Sequence, residues 1–370
     1  MAATALDRLA RERADDYRSC SHRLRFPTAG GFTGSRRLQS SPLFARAILA
    51  DALCDAHVAG LTDATELLEV ECDYLVEQRV RVDSGGWSYF PGLPELPCDT
   101  DVLAAVAQLL IRCGRDADVD AFVAPPLDVL LRDGWRDDDS LGTWILPRSG
   151  RSPRERRQAR FVETAWGDTS DPEVTANILY TLVLLDPVGH ARAIERAAGY
   201  LRAAQRPDGS WTSTWYAGPF YGTYVASRAL RSIGDADLER VCAFLHHTSR
   251  AEGGWETRAF DQLATALALC ALAAARDDGA HDDLAQRALA RLRASVFAHG
   301  WKGSHFIVMD VGRAFGREGP ILSYGSAAVT AAYGLKAVAA WTGDIGGKSS
   351  AADVRLRHAR PRRSDELTHA

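Results

Sequence analysis

QRPDGSW (residues 205–211) lies in a turn between two helical stretches, and its Gly-Trp step recurs at four other turns of the 370-residue chain. The other copies are Gly85-Gly86-Trp87, Asp133-Gly134-Trp135, Gly253-Gly254-Trp255 and His299-Gly300-Trp301. Successive tryptophans are 48, 76, 44 and 46 residues apart, and a period of this size is typical of a repeated helical unit. Glycine provides the turn conformation and tryptophan a large rigid surface, so we interpret these tryptophans as wedges between neighbouring helices.

One interval between tryptophans, of 76 residues, exceeds the others by about 30. Excursions of that length are common in repeat proteins, and we expect an insert at about residues 136–168 of a single domain that covers residues 1–342. Residues 343–370 are rich in Gly, Ser and Arg, and this composition favours a disordered tail.

Twelve helical segments of two alternating kinds are predicted between the turns. Six segments are apolar on all sides, which indicates burial on most sides, and the other six are amphipathic, which is typical of surface helices. The apolar segments lie at about 43–57, 100–113, 172–186, 222–233, 261–276 and 325–341. The amphipathic segments lie at about 3–18, 63–79, 118–132, 188–204, 236–249 and 281–297.

This strict alternation predicts an all-α fold, an (α/α)6 toroid with six inner and six outer helices. A closed ring leaves no terminal repeat that needs a cap. The alternation also places the N-termini of the inner helices at one end of the barrel. We expect the functional site at this mouth, because ligand sites are usually concave. No segment has the clear period-2 alternation of a β-strand.

The composition argues against several classes of function. The net charge of −4 is small for 370 residues and gives no sign of the basic face that nucleic-acid-binding proteins carry. The seven cysteines lack CxxC spacing, which argues against a zinc ribbon or a disulfide framework. The N-terminus lacks the apolar segment of a secretory signal, and no run of 18 apolar residues occurs, so we expect a cytoplasmic protein.

Aromatic residues are concentrated at the predicted mouth, although they make up only 8% of the chain. The segment after Trp211 contains more rings than one turn can bury, and aromatic faces stabilise nearby cations. We therefore expect residues at the mouth to bind a substrate that becomes cationic; the alternative is that the rings only pack. The residues assigned to substrate binding are Trp87, Tyr89, Phe90, Glu173, Asn177, Trp215, Tyr216, Phe220, Tyr221, Tyr224, Phe260, Asp261, Phe306 and Tyr324, with Trp166 and Asp310 close by.

Asp99-Thr100-Asp101 opens an inner helix and is the sharpest candidate for chemistry. Two carboxylates in an apolar cavity cannot both ionise cheaply, so one retains a proton and can act as an acid. The structural alternative is that Asp99 caps the helix and Asp101 interacts with the helix dipole. Asp171-Pro172 is weaker evidence, since an aspartate before a proline is typical of a helix N-cap.

The insert contains a basic segment, residues 148–160 (RSGRSPRERRQAR). We favour a disordered surface loop here, and the functional alternative is a clamp for a diphosphate or for an anionic membrane surface. The aspartates at residues 137–139 and 277–278 fall in polar sequence, and we interpret them as solvated charge.

Residues 205–211 match the QxxDGxW repeat, and on this motif the chain resembles the squalene-hopene and oxidosqualene cyclases over about residues 20–342. Those enzymes are class II terpene cyclases, in which a DxDD motif at the start of an inner helix protonates the substrate from its middle aspartate. The resemblance implies that Asp101 is the proton donor and Asp99 its supporting carboxylate. Val102 stands where the last aspartate is expected, a position that epoxide-opening relatives fill with cysteine. Most such cyclases pair two helical barrels, whereas this chain has helices for one.

The resemblance implies an isomerase-type enzyme that cyclises a linear isoprenoid, epoxy-isoprenoid or meroterpenoid through carbocations, with Asp101 as general acid. It implies no metal site and no cofactor, with Mg²⁺ needed only if the substrate carries a diphosphate. The expected partner is a hydrophobic isoprenoid small molecule. We also expect peripheral contact of the protein with a membrane. Two alternatives stay open: an (α/α)6 glycosidase that pairs Asp101 with Asp261 or Glu173, and a non-catalytic isoprenoid-binding protein.

Overall fold

The computed structural model describes residues 1–26, 31–33, 38–235, 238–256, 260–276, 281–309 and 322–342. Asp310, residues 277–278 and the predicted tail at 343–370 lie outside the described residues. The helices of the described part are α1 (Ala2–Ala14), α2 (Leu43–Val58), α3 (Thr65–Glu77), α4 (Thr100–Arg112), α5 (Asp116–Asp118), α6 (Ala124–Asp133), α7 (Pro153–Phe161), α8 (Pro172–Leu185), α9 (Ala191–Ala204), α10 (Phe220–Ser232), α11 (Glu239–Thr248), α12 (Gln262–Ala275), α13 (Asp282–His299) and α14 (Ala327–Thr342). The strands are β1 (His22–Leu24), β2 (Gln39–Ser41), β3 (Ile307–Met309) and β4 (Leu322–Tyr324).

Six helices form a closed inner ring. Helix α2 contacts α4, α4 contacts α8, and the series continues through α10, α12 and α14 back to α2. Of the outer helices, α1 lies against α14, α3 against α2 and α4, α9 against α8, and both α11 and α13 against α12. Helices α5 and α6, joined by a π-helical turn at Val119–Val123 that contacts α4, form the remaining outer element. The (α/α)6 toroid expected from the sequence is confirmed.

Inner and outer helices differ in how much of their surface is buried. In α12 twelve of the fourteen residues are buried, and many of them are alanines that allow α10 and α14 to approach closely. In α13 the buried residues form a single stripe, namely Leu284, Ala285, Ala288, Leu292 and Val296. A helix that is apolar on all sides gains most when neighbours cover every side, which explains why the six apolar segments form the inner ring.

Three of the Gly-Trp tryptophans connect a turn to the outer helix that precedes it. Their indole N–H groups donate to leucine carbonyls, in the pairs Trp87–Leu75, Trp211–Leu201 and Trp255–Leu245, at 2.7, 2.8 and 3.1 Å. All three rings are buried. Gly209 has a φ of +94°, and a Cβ atom there would collide with the carbonyl of Arg240. The interpretation as packing wedges is confirmed for these three residues.

Two short hairpins depart from the sequence-based expectation of a wholly helical chain. Strand β1 pairs antiparallel with β2, and β3 pairs antiparallel with β4. Strands of three residues are too short to produce a detectable alternation. Both hairpins contribute to the mouth, where His22 of β1 stacks on Tyr324 of β4 with ring centroids 4.8 Å apart.

The basic part of the insert is folded, so the prediction of a disordered loop is wrong. Helix α7 begins with a capping box in which Ser152 and Glu155 bond each other's backbone N–H groups. Gln158 is buried, and its Nε2 donates to the carbonyl of Leu96 at 3.0 Å. A serine followed three residues later by a glutamate is a helix-start signal, which the basic composition obscured.

Two further expectations concern the whole chain. All seven cysteines are buried, and none of them forms a disulfide bond. No helix within the described ranges is both long enough and apolar enough to cross a membrane.

Candidate active site

The N-terminus of α4 is bonded to the insert through its backbone. Thr100 N donates to the carbonyl of Thr143 at 2.9 Å, and Ile145 N donates to the carbonyl of Cys98 at 3.0 Å. The Thr100 hydroxyl donates to the carbonyl of Gly142 at 2.8 Å. The first part of the insert therefore forms the wall beside the two aspartates.

Asp99 is the N-cap of α4, as the structural interpretation of the motif predicts. One carboxylate oxygen accepts the N–H of Val102 at 2.8 Å and the other accepts the N–H of Tyr89 at 3.0 Å. The side chain therefore fixes both the start of α4 and the turn that carries Tyr89.

Asp101 is held by side chains from two other segments of the ring. Asn177 of α8 donates from Nδ2 to Oδ1 at 3.0 Å, and the Tyr216 hydroxyl donates to Oδ2 at 2.9 Å. Asp101 is only 7% exposed. The N-cap interpretation thus explains Asp99 but leaves the carboxylate of Asp101 free to face the interior of the barrel.

Burial raises the pKa of both aspartates, that of Asp101 to about 6 and that of Asp99 to about 8. The hydrogen bonds from Asn177 and Tyr216 favour the carboxylate and oppose this rise at Asp101. At Asp99 the backbone donors also oppose the rise, whereas the charge of Asp101 adds to it. The pair therefore retains a proton at neutral pH.

Asp101 lies between two cavities, which differ in their walls. Both cavities are small, with a volume of about 50 Å³ for the aromatic cavity and about 40 Å³ for the polar cavity. Phe44 and Asp101 line both. The aromatic cavity is also lined by Tyr89, Leu96, Asp99, Val102, Thr143, Trp144, Trp166, Trp215, Tyr216 and Ile307. The polar cavity is also lined by Ala47, Ile48, Asp51, Ala105, Gln108, Asn177, Tyr221, Tyr224, Val225, Arg228, Tyr333 and Lys336.

A cluster of buried charges closes the polar cavity. Lys336 of α14 donates to Asp51 at 2.5 Å and also to Asp55, both on α2. Arg112 of α4 bonds the same two aspartates. The two cations and two anions compensate one another, and they connect three neighbouring inner helices.

Six of the residues predicted to bind substrate line one of the two cavities. They are Tyr89, Trp215 and Tyr216 in the aromatic cavity, and Asn177, Tyr221 and Tyr224 in the polar cavity. Tyr216 and Tyr221 meet at the boundary, with ring centroids 3.9 Å apart. The sequence therefore located one contiguous part of the site.

The other eight residues assigned to substrate binding line neither of the two cavities. They are Trp87, Phe90, Glu173, Phe220, Phe260, Asp261, Phe306 and Tyr324. The rings among them have packing partners instead. Phe220 lies 6.1 Å from Phe244, and Phe306 lies behind Tyr216 at 5.0 Å. Any contact of these eight residues with a substrate stays a prediction.

The remaining acidic candidates have other partners. Asp171 is the N-cap residue of α8, followed by Pro172, as predicted, but its carboxylate makes no cap bond to the helix. The carboxylate accepts instead from the Thr143 hydroxyl at 2.5 Å and from Trp215 Nε1 at 3.0 Å. Glu173 accepts the backbone N–H groups of Thr214 and Trp215, and burial raises its pKa to about 8. Asp261 caps α12.

The positions of the acidic residues bear on the glycosidase alternative and on metal binding. Neither Asp261 nor Glu173 lines either of the two cavities, so the carboxylate pairs of the glycosidase alternative do not face each other across one of them. The residues that the structure describes contain no group of three or more histidine, cysteine, aspartate or glutamate side chains that could hold a metal ion.

Several residues of the site were not found from the sequence. Phe44 and Arg228 belong to inner helices. Phe44 is hidden in an apolar run, and Arg228 is one of two arginines in α10. Trp144 belongs to the insert. His22 accepts or donates a hydrogen bond at Nδ1 with the Tyr89 hydroxyl at 3.0 Å, and burial lowers its pKa to about 4. Of these residues, only the arginine within an otherwise apolar stretch was a usable signal.

A family model described as the squalene-hopene cyclase C-terminal domain matches residues 162–261. This segment covers α8 to α11, and it includes Asn177 and Tyr216, the two hydrogen-bond partners of Asp101. Asp99 and Asp101 themselves lie outside the matched segment.

Two curated relatives match about half of the chain. An ent-copalyl diphosphate synthase from Streptomyces sp. is 27% identical over 184 residues, which are 48% of this chain and 30% of the relative. A squalene–hopene cyclase from Bradyrhizobium diazoefficiens is 27% identical over 195 residues, which are 51% of this chain and 29% of the relative. The matched part thus spans less than a third of the length of these relatives.

A solved structure shares the fold over nearly its whole length. It is a variant of the type II terpene cyclase MstE from Scytonema in complex with geranylgeranyl dihydroxybenzoate as substrate. The TM-score is 0.64 at 15% sequence identity, and the match covers 92% of this chain and 96% of the other.

Proposed function

Because the chain is class II terpene cyclase-like, we propose that it cyclises an isoprenoid substrate by protonation, with Asp101 as the general acid. The observation that carries the proposal is the position of Asp101, whose carboxyl group lies in the wall of an aromatic cavity and is held there by Asn177 and Tyr216. Proton transfer from a positioned side chain into a dry site is the chemistry that this arrangement supports.

We assign the transferable proton to Asp101 and a supporting role to Asp99. Both oxygens of Asp99 already accept backbone N–H groups, which favours its carboxylate form. Burial raises the pKa of Asp99 to about 8 and that of Asp101 to about 6, so the two carboxyl groups share one proton at neutral pH. Asp99 supports the acid as the partner in this shared proton, which Asp101 delivers to the substrate. Val102 stands in place of a further aspartate, so Asp99 is the one carboxyl group of the motif that supports the acid. A less strongly supported acid suits a substrate that accepts a proton readily, such as an epoxide.

The aromatic cavity provides a surface for the cations that follow. Its rings are Phe44, Tyr89, Trp144, Trp166, Trp215 and Tyr216. Each aromatic face can stabilise a nearby cation by about 0.5–2 kcal/mol. The walls carry few groups that could add to a carbocation, so an intermediate can survive long enough to form rings.

The proposed reaction begins with transfer of the Asp101 proton to the terminal double bond or epoxide oxygen of the substrate. The electron pairs of further double bonds close the rings, and loss of a proton to a base or water forms the final double bond. An isomerisation of this kind consumes no cofactor, and Mg²⁺ enters only if the substrate carries a diphosphate. We further propose that the protein meets its apolar substrate by peripheral contact with a membrane.

The names of the similar proteins suggest the range of substrates. One curated relative is a copalyl diphosphate synthase, another is a squalene–hopene cyclase, and the structural neighbour was solved with a geranylgeranyl dihydroxybenzoate. That neighbour is matched over 96% of its chain, which supports a single barrel as a sufficient unit for this chemistry. We propose a linear isoprenoid, free or attached to an aromatic ring.

The test is product formation from a panel that contains prenyl diphosphates, squalene and prenyl or epoxy-prenyl aromatics. We expect the wild-type protein to cyclise at least one of them and Asp101→Asn to reduce that rate at least about 100-fold, the loss typical of a missing general acid. Mass spectrometry and retention times identify the products. Cyclised products at the wild-type rate from Asp101→Asn would rule out the assignment, and tight binding without turnover by the wild type would favour the non-catalytic alternative.

A further inference from the structure

Arg228 is a cation in the wall of the polar cavity. It belongs to α10, and its guanidinium Nη2 donates to two amide oxygens, Gln108 Oε1 at 3.1 Å and Asn177 Oδ1 at 3.2 Å. Its Nε is buried and has no hydrogen-bond partner among the described residues. The guanidinium also lies over the Tyr180 ring, 4.2 Å from the centroid. Arg228 is thus directed at amide groups rather than at one of the carboxylates of the cluster.

A guanidinium next to an amide determines how the amide is oriented. Arginine has only hydrogen-bond donors, so an amide that faces it has to present its oxygen. For Asn177 this requirement directs the Nδ2 group to the opposite side, where it donates to Asp101 at 3.0 Å and to the Tyr221 hydroxyl at 3.1 Å.

Gln108 makes the arrangement rigid. While its oxygen accepts from Arg228, its Nε2 donates to the backbone carbonyl of Asn177 at 3.0 Å and to the Thr181 hydroxyl at 3.1 Å. Gln108 therefore bonds both Arg228 and the backbone of Asn177. The cation, the glutamine and the asparagine form one network between α4, α8 and α10.

We propose that Arg228 is a positioning residue that locks the Asn177 amide with its N–H group toward Asp101 and so makes Asp101 a stronger acid. The inference rests on the proposed function of Asp101 as general acid. In the observed orientation the amide donates to the carboxylate and stabilises the anion that remains after proton transfer. In the reversed orientation the amide oxygen would accept from the protonated acid and stabilise the proton on it.

Other charged and titratable groups also face Asp101 or line its cavity. They are Asp99 on α4, Asp171 and Glu173 at the start of α8, Tyr216, Tyr221 and Tyr224 before and on α10, Asp51 on α2, and Tyr333 and Lys336 on α14. Lys336 and Asp51 are bonded to each other at 2.5 Å, so their charges largely compensate. Arg228 is the cation that this network of hydrogen bonds connects to Asp101.

The test measures the titration of Asp101 itself, without substrate. Infrared difference spectra between the wild type and Asp101→Asn isolate the carboxyl stretch of protonated Asp101, and a pH series gives its pKa. In Arg228→Met, which keeps a long apolar stem, we expect the pKa of Asp101 to rise by about one because the donor orientation is lost. Arg192→Met, which changes an exposed arginine of α9, is the matched control and should leave the titration unchanged.

A double-mutant cycle separates orientation from charge. Asn177→Ala removes the donor directly and should also raise the pKa of Asp101. If Arg228 acts through Asn177, the double variant Arg228→Met/Asn177→Ala titrates like Asn177→Ala alone. No rise in Arg228→Met, or the same rise with and without Asn177, would overturn the proposal, because a direct effect of the charge does not depend on the asparagine.

Arg228→Gln provides a second route if the methionine variant does not fold. Glutamine lacks the charge but can still present an N–H group to Asn177, so we expect the pKa of Asp101 to rise less in Arg228→Gln than in Arg228→Met. If Arg228→Met does not fold, the comparison is made with Asn177→Ala. Equal rises would contradict the proposal. These titrations need no turnover, so they can fail independently of the proposed function. Cyclisation at the wild-type rate by Asp101→Asn would refute the proposed function alone. A double-mutant cycle without coupling between Arg228 and Asn177, together with an inactive Asp101→Asn, would refute only the role of Arg228.

Discussion

The two cavities that meet at Asp101 have walls of different polarity. The aromatic cavity is walled by rings and aliphatic side chains, whereas the polar cavity contains Arg228, Lys336 and Asp51. Both lie inside one ring of helices and share Phe44 and Asp101. The difference shows that the barrel interior is divided, with the candidate acid at the division.

This division explains how one carboxyl group can be both protonated and reactive. Burial beside an apolar cavity raises the pKa of Asp101 to about 6, so Asp101 retains its proton up to about that pH. Donors from Asn177 and Tyr216 stabilise the anion that forms when the proton leaves. A wholly apolar surrounding would hold the proton too tightly, and a wholly polar one would release it to water.

The largest expected effect is on protein stability and concerns the charged cluster at the polar cavity. Lys336→Met removes one of two cations from the buried cluster and leaves Asp51 and Asp55 with Arg112 alone. Breaking a buried ion pair in this way typically costs about 3–5 kcal/mol, and we expect a loss of that size in the free energy of unfolding in urea. Lys302→Met, at an exposed position, is the matched control and should change stability by less than about 0.5 kcal/mol. Similar losses in both variants would contradict the assigned role of the cluster.

The next effect concerns the aromatic side. Phe44→Leu keeps an apolar side chain beside Asp101 but removes a ring from both cavity walls. If that ring stabilises a cation by about 0.5–2 kcal/mol, kcat falls about 2- to 30-fold on the substrate found with the panel. Phe220→Leu makes the same change at a ring that packs on Phe244 outside both cavities, and we expect less than about a 2-fold change in kcat there. An equal fall in both variants would point to a general packing effect.

The smallest effect concerns the boundary. Only protonated Asp101 can donate, so kcat/KM of the wild type should decline as the pH rises above about 6. Tyr216→Phe removes a donor that favours the carboxylate, so the pKa of Asp101 rises. The decline in kcat/KM therefore moves to higher pH by about one pH unit. The variant should also be slower at low pH because its acid is weaker. A shift of the decline to lower pH would contradict this assignment of Tyr216.

The ring and the cap of α4 could be predicted because both depend on local sequence. Helices that are apolar on all sides predict an inner ring wherever they occur in the chain. Asp99 accepts the N–H of Val102, only three residues away, so its cap needs no tertiary structure. At Asp171 the same local rule predicted the start of α8 but not the partners of the side chain, because the insert and the turn after α9 bring Thr143 and the Trp215 indole to its carboxylate.

The charged residues of the polar cavity could not be predicted because their contacts span the chain. Arg228 reaches Asn177 and Gln108, which are 51 and 120 residues away in sequence. Lys336 reaches Asp51 across 285 residues, which only the closure of the ring brings together. An arginine in a largely apolar inner helix indicates a buried charge, but periodicity does not identify its partners.

Uptake of deuterium from D2O tests the central claim most directly. With an alkene-terminated substrate from the panel, the account predicts that the wild-type product carries one solvent deuterium at the carbon protonated first, and that Asp101→Asn forms almost no labelled product. A cyclised product without solvent deuterium, or the same rate of uptake in Asp101→Asn, would contradict the claim that Asp101 donates the proton from the boundary of the two cavities.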